Sequence, residues 1–309
     1  MPSKIEELLE TLLNGETIDF EPRSRIEAYL KNCCEGCGCD GLPEPKSRVD
    51  ALLYALAEKL AGGGAGGDEE IIVKLNDFSY FFYNNARLDL LDSIDTSECT
   101  NFESMFQTDS LTTSQIIEVP KFNTSNGIDF SMMFYNCKKL TSVPELDTSN
   151  AKSMHSMFAD CKALTSIPQL DTSNVESFTA MFDGCRMLTT ITKMDINKGK
   201  YLSYMFDSCT NLTDLYLYNI RKSIQIGSGT SYGHLLTVDS LVHTIKELCT
   251  VTTSQTLTMG SANLEKIANL YCKITDDTTE KKPMELCEST DEGAMTLTDY
   301  ASEKGWVLA

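Results

Sequence analysis

The chain has 309 residues, 41% of them hydrophobic, enough for two or three units that each bury a core. Its 26 lysines and arginines face 45 aspartates and glutamates, and the resulting net charge of −19 repels phosphate backbones and argues against nucleic-acid binding. No run of about 18 apolar residues is present, so no membrane insertion is expected, and the twelve cysteines, about 4% of the chain, fall short of a disulfide scaffold.

In chain order, Met1-Pro2-Ser3-Lys4-Ile5-Glu6-Glu7 has no basic start followed by an apolar core, so no secretory signal is expected and the thiols are expected to be reduced. Ser3 to Glu6, Ser24 to Glu27 and Ser47 to Asp50 are capping-box signatures, each opening a helix. Ile5, Leu8, Leu9, Leu12 and Leu13 form an apolar stripe at helical spacing, as do Val49, Leu52, Leu53, Leu56 and Leu60. Residues 1–60 are therefore predicted to be a small module of amphipathic helices, marginal alone and suited to self-association or docking. The glycine-rich stretch 61–68 is predicted to be a flexible linker. Between two of the helices, Cys33, Cys34, Cys37 and Cys39 offer four sulfurs. Zinc, interchain disulfides and an incidental loop are all open readings, and the cramped spacing lacks the usual separated pairs, so no metal is assigned.

Residues 69–222 are a repeat array. Phe82, Phe106, Phe134, Phe158, Phe182 and Phe206 recur at steps of 24, with one step of 28. Cys137, Cys161, Cys185 and Cys209 keep the same period. Two columns of a structural ladder are expected from them, the thiols packing as free, buried, small hydrophobes. Met154, Met157, Phe158 and Cys161 sit at helical spacing, which predicts one short helix per repeat. A short extended segment through Pro168 follows, and then a polar turn such as Asp171-Thr172-Ser173-Asn174. The column Asp147, Asp171 and Asp195 is read as turn capping, with a calcium-assisted turn as the alternative. One such coil cannot bury its own apolar face, so the coils must stack. The fold class predicted is an α+β repeat solenoid: a leucine-rich-type stack of 24-residue helix-plus-short-strand coils, after an all-α N-terminal module and before an α/β cap over 223–309. In that last region Leu241, Ile245 and Leu248 mark a helix, Leu264, Ile267 and Ala268 another, and Thr298 to Gly305 a third, closed by Trp306-Val307-Leu308.

His155, His234 and His243 are scattered, and no nucleophile triad or phosphate loop is recognised, so no enzyme activity, catalytic residue or cofactor is expected. On a stack of coils a ligand face is made from the varying exposed residues beside the constant core. Register brings Glu145, Gln169, Lys193 and Tyr216 forward as partner-binding candidates.

The pattern L-T-S-[IV]-P-x-L-D-T-S-N followed by M-F-x-x-C, standing at Leu140 to Cys161 and Leu164 to Cys185, resembles the BspA-like leucine-rich repeat family over roughly residues 76–221. That resemblance implies a curved solenoid used in surface adhesion and protein binding, without enzymatic activity. The leader, Ile5-Glu6-Glu7-Leu8-Leu9 with the paired Pro-[RK]-Ser-Arg units, is similar to leaders on tail, baseplate and fibre-type proteins of phages and prophages of gut Firmicutes. The two together imply a virion protein, made in the bacterial cytoplasm. Residues 1–60 would contact other virion proteins or form a homo-oligomer, a trimer by preference, and the solenoid would bind a protein or glycan on a host cell surface. The alternative is an adhesin or interaction module at the bacterial cell surface.

Overall fold

The computed structural model describes residues 73–74, 77–83, 88, 94–108, 116–226, 236–275 and 284–309. The expected helices of 1–60, the linker 61–68, the cluster Cys33 to Cys39 and His234 lie outside the described residues. The chain divides into two compact units, one of Met1–Leu75 with Asp92–Asp95 and one of Asn76–Leu91 with Thr96–Ala309. In the first, β1 (Val73–Lys74) pairs in parallel with β2 (Ile94–Asp95).

The second unit holds the repeats. Asp77, Asn101, Asp129, Ser153, Ser177 and Tyr201, one from each coil, are joined in a series of parallel bridges. The sequence spacing suggests a short helix after each of them, but the backbone forms overlapping turns instead. In residues 154–161 the amides alternate in their use. Those of Met154, Ser156 and Phe158 each donate at 2.9 Å to the next coil, at the carbonyls of Ser177, Thr179 and Met181, and Asp160 donates to Asp183 at 2.6 Å. The amides between them turn back three residues, Met157 to Met154, Ala159 to Ser156 and Cys161 to Phe158, at 3.0–3.2 Å. Left-handed backbone makes this possible: Ser156 has φ 51° and Asp160 φ 59°, with Met132, Asn136, Ala180, Gly184, Tyr204 and Ser208 alike in their own coils. An α-helix would satisfy each amide four residues back and leave no backbone link between coils. Turns satisfy the same groups and tie every coil to its neighbour.

The core follows from that register. Phe82, Phe106, Phe134, Phe158, Phe182 and Phe206 are buried in one column, ring centroids 5.4–5.9 Å apart and planes within 8° of parallel. Met105, Met133, Met157, Met181 and Met205 are buried beside them. At the polar corners, buried Thr124 and Thr148 donate their hydroxyls to the carbonyls of Asp147 and Asp171, one coil on, at 3.0 and 2.9 Å. Asn150 and Asn174 reach back to Ser125 and Ser149 carbonyls, both at 2.8 Å.

Regular strands appear where the repeat fades. β3 (Thr190–Asp195) and β4 (Asp214–Tyr218) pair in parallel, with a register shift between Ile191 and Met194. The chain continues through β5 (Ile224–Gln225), α1 (Val238–Lys246), β6 (Gln255–Thr258), α2 (Ser261–Ile267), β7 (Tyr271–Ile274), β8 (Met284–Cys287), β9 (Met295–Thr296), α3 (Leu297–Glu303) and β10 (Trp306–Leu308). A parallel sheet runs β10-β6-β5 and an antiparallel one β8-β7-β9. This region is bonded onto the last coils. The Ser240 hydroxyl of α1 meets both the amide and the carbonyl of Leu215, at 2.6 and 2.7 Å, and Ile220 bridges Leu248. Among the described residues no helix is long and apolar enough to cross a membrane.

Candidate partner-binding face

Gln169 and Lys193 come from adjacent coils, each exposed beside a buried neighbour, Leu170 and Met194. The Gln169 amide is pinned in place: its Nε2 donates to the carbonyls of Leu170 at 3.0 Å and Lys193 at 3.1 Å, while Thr192 donates to its Oε1 at 3.4 Å. The two side chains line an open groove of about 550 Å³ together with Asp147, Asp171 and Asp195.

Those aspartates cap turns. Asp147 Oδ1 accepts from the amide and hydroxyl of Ser149 at 3.1 and 2.7 Å, and Asp171 Oδ1 from those of Ser173 at 3.0 and 2.7 Å. Asp195 accepts from the Asn197 amide at 2.9 Å and from Asn219 Nδ2 at 2.8 Å. The Ser149 hydroxyl, then its amide, hold the Asp147 carboxyl below its usual range. Among the described residues no group of three or more His, Cys, Asp or Glu is placed to hold a metal.

The other two candidates sit elsewhere. Glu145 is exposed, in register one coil before Gln169, but it does not line the groove. Tyr216 is half-buried. Its ring meets His243 of α1 edge-on at 5.1 Å, and Tyr218 meets the same imidazole at 4.7 Å. The β3–β4 register shift, which sets Met194 against Leu217 and Asp195 against Tyr218, keeps Tyr216 next in line after Lys193, but its ring is taken by His243 and does not line the groove.

The cysteine column has a definite job. Cys137, Cys161, Cys185 and Cys209 are buried and unbridged, and each thiol donates to the phenylalanine carbonyl of the preceding coil, at 3.0–3.1 Å. Burial pushes the thiols of Cys161, Cys185 and Cys209 well up, so they stay protonated and unreactive.

Two features escape a reading by single columns. Asp160, Asp183 and Asp207 meet across three coils, and burial, then Asp207, then Asp160 push the Asp183 carboxyl up to about 6. Tyr201 and Tyr204 stand exposed where other coils carry Ser153, Ser177, Ser156 and Ala180. The aromatic substitutions in the last coil were the available signal.

The class these features define is a protein of tandem, hydrogen-bonded repeats. The chain belongs to the family described as "Mycoplasma protein of unknown function, DUF285", which it matches over residues 72–168 and 142–229. No curated protein and no solved structure matches the chain.

Proposed function

We propose that the chain is a non-enzymatic repeat solenoid that binds a protein or glycan on a host cell surface, as a tail, baseplate or fibre-type part of a phage or prophage virion. The observation that carries the binding role is the face itself. Gln169 and Lys193 stand exposed beside a constant buried core, the Gln169 amide held by the Lys193 carbonyl, in a groove of about 550 Å³ whose other polar groups are already held in turns. Such a surface varies without disturbing the stack beneath it. In this reading residues 1–60 dock on the particle or trimerise, and several copies together offset weak contact at each one. The labelled full-length chain is expected to bind host cells, and the double variant Gln169→Ala/Lys193→Glu to bind about tenfold more weakly. Equal binding by the variant would remove the face from the proposal.

A second reading is an adhesin or interaction module at the bacterial cell surface. It is favoured by the family match, which covers the repeats and none of the residues before 72. Gene neighbours separate the two: tail genes support the first, export genes the second.

A further inference from the structure

Between coils, every second amide is spoken for: Phe178, Ala180, Phe182 and Gly184 donate to Tyr201, Ser203, Met205 and Asp207 at 2.8–2.9 Å. The coil of residues 201–208 repeats the same backbone, with Tyr204 at φ 58° and Ser208 at φ 56°, and so presents the same row of donors. Among the described residues, the amides of Leu202, Tyr204, Phe206 and Ser208 have no backbone acceptor. By register the next acceptor is the carbonyl of Gln225. The chain has swung away there, and Ile224 and Gln225 pair with Leu257 and Thr258 of β6. The following amide, Ile226, also goes to Thr258, at 2.8 Å. Alternation along a parallel strand then points the Gln225 amide and carbonyl away from β6. Between these two unpaired edges lies a groove of about 500 Å³, lined by Leu202 and Tyr204 on one bank and Gln225 on the other.

The groove's chemistry narrows its occupant. Tyr201 and Tyr204 are 61% and 64% exposed and offer ring faces. Lys200 and Lys222 line it and no carboxylate does, on a chain of net charge −19. Lys200 is shared with Glu176 at 2.7 Å, which leaves Lys222 as the groove's free cation among the described residues. Unpaired edge amides are a template for an added strand.

We propose that this groove binds an extended acidic peptide segment of a partner protein. The peptide lies parallel to the coils, its carbonyls accept from the Leu202 and Tyr204 amides, its side chains pack on the two tyrosine rings, and a carboxylate meets Lys222. The groove shares no lining residue with the Gln169–Lys193 face and stands whether or not that face binds anything.

The test follows amide hydrogen exchange by NMR in the ¹⁵N-labelled full-length chain. The probes are a blocked heptapeptide alternating valine and glutamate, the same peptide with lysine for glutamate, and chitotetraose. The glutamate peptide is expected to slow exchange at Leu202 and Tyr204 about tenfold or more, and the lysine peptide to bind at least about fivefold more weakly. Tyr201→Ala and Lys222→Glu, both at exposed positions, are each expected to weaken the glutamate peptide about three- to tenfold. Exchange at Phe158 should stay unchanged in both variants, which shows the stack intact. Three results overturn the proposal: Leu202 and Tyr204 amides already protected in the free chain, peptide binding without added protection there, or perturbation of the groove by chitotetraose and not by the peptide.

Discussion

Ala180 carries a methyl group at φ 53°, a conformation that costs an L-residue about 1–2 kcal/mol and glycine almost nothing. Ala180→Gly is therefore expected to raise stability by about 0.5–1 kcal/mol, after the extra entropy of glycine in the unfolded chain is subtracted. Gly184 is the mirror case. It has φ 74°, and an added Cβ would come within 2.8 Å of Asp160 Oδ1, so Gly184→Ala should lose about 1–2 kcal/mol. Urea titration of the two variants reads both signs; a destabilised Ala180→Gly would show that the left-handed turn carries no strain. Phe158, stacked on both faces and fully buried, should cost about 3–5 kcal/mol as alanine in the same titration. The phenylalanine column was legible because one large apolar residue at a fixed step has few ways to be satisfied. The backbone around it was not. Apolar residues at i, i+3, i+4 and i+7 suit a helix and a run of overlapping turns equally, and the left-handed positions hold Ser, Asp, Asn and Tyr as well as Gly.

Whole elements respond to pH and to buried charge. Asp183 on its coil faces Asp160 and Asp207 on the two coils beside it, and its carboxyl is raised to about 6 from an ordinary value of 3.8. Between those values the folded chain holds a proton that the unfolded chain has lost, so this site's contribution is present below pH 4 and declines as pH rises through 6. Asp183→Asn should abolish that decline and leave the variant more stable than the parent at pH 7, by about 1 kcal/mol once solvent screening is allowed for. Melting temperatures at pH 4 and pH 7 check it; a parent whose stability rises over that span contradicts the cluster's repulsion. In the C-terminal region Lys304, fully buried, donates to the carbonyls of Lys246 and Leu248 at 3.1 and 2.7 Å and lies 4.4 Å from the centre of the Tyr300 ring. It closes the end of α1, where carbonyls lack helical donors. Lys304→Met should cost about 2–4 kcal/mol by orphaning those carbonyls. The helices of this region were legible: Leu241 and Ile245 lie in α1, Leu264 and Ile267 in α2, and the stretch from Thr298 in α3. The lysine's inward turn was not, because a charged residue near a chain end ordinarily belongs to the surface.

At the scale of the molecule, thiol accessibility reports on the stack. Native alkylation should label half-buried Cys287 well before Cys137, Cys161, Cys185 and Cys209, which should react only on unfolding; mass mapping of the labelled peptides distinguishes the two patterns. The candidate face was legible only in part. Equal spacing brought Gln169 and Lys193 together, but Tyr216, next in line across the shifted β3–β4 register, packs against His243 of α1, a contact that counting residues could not foresee. The groove at Tyr201 and Tyr204 depends on where β5 pairs, and that is decided by contacts with β6, distant in sequence.

Because the coils are bridged in parallel, and amides such as those of Met154, Ser156 and Phe158 donate to the next coil, the stack has a head and a tail that cannot be exchanged. A whole 24-residue coil could therefore be gained or lost between Leu140 and Cys185 without altering the chemistry at either end, whereas a part of a coil is tolerated only where the columns stay in line, as they do across the 28-residue step from Phe106 to Phe134. Nearly identical neighbouring stretches such as Leu140-Thr141-Ser142 and Leu164-Thr165-Ser166 also give recombination a matched template. Between Leu140 and Cys185, variation in length among descendants of this chain should then come in whole coils, a tape measure that is cut only at its marks.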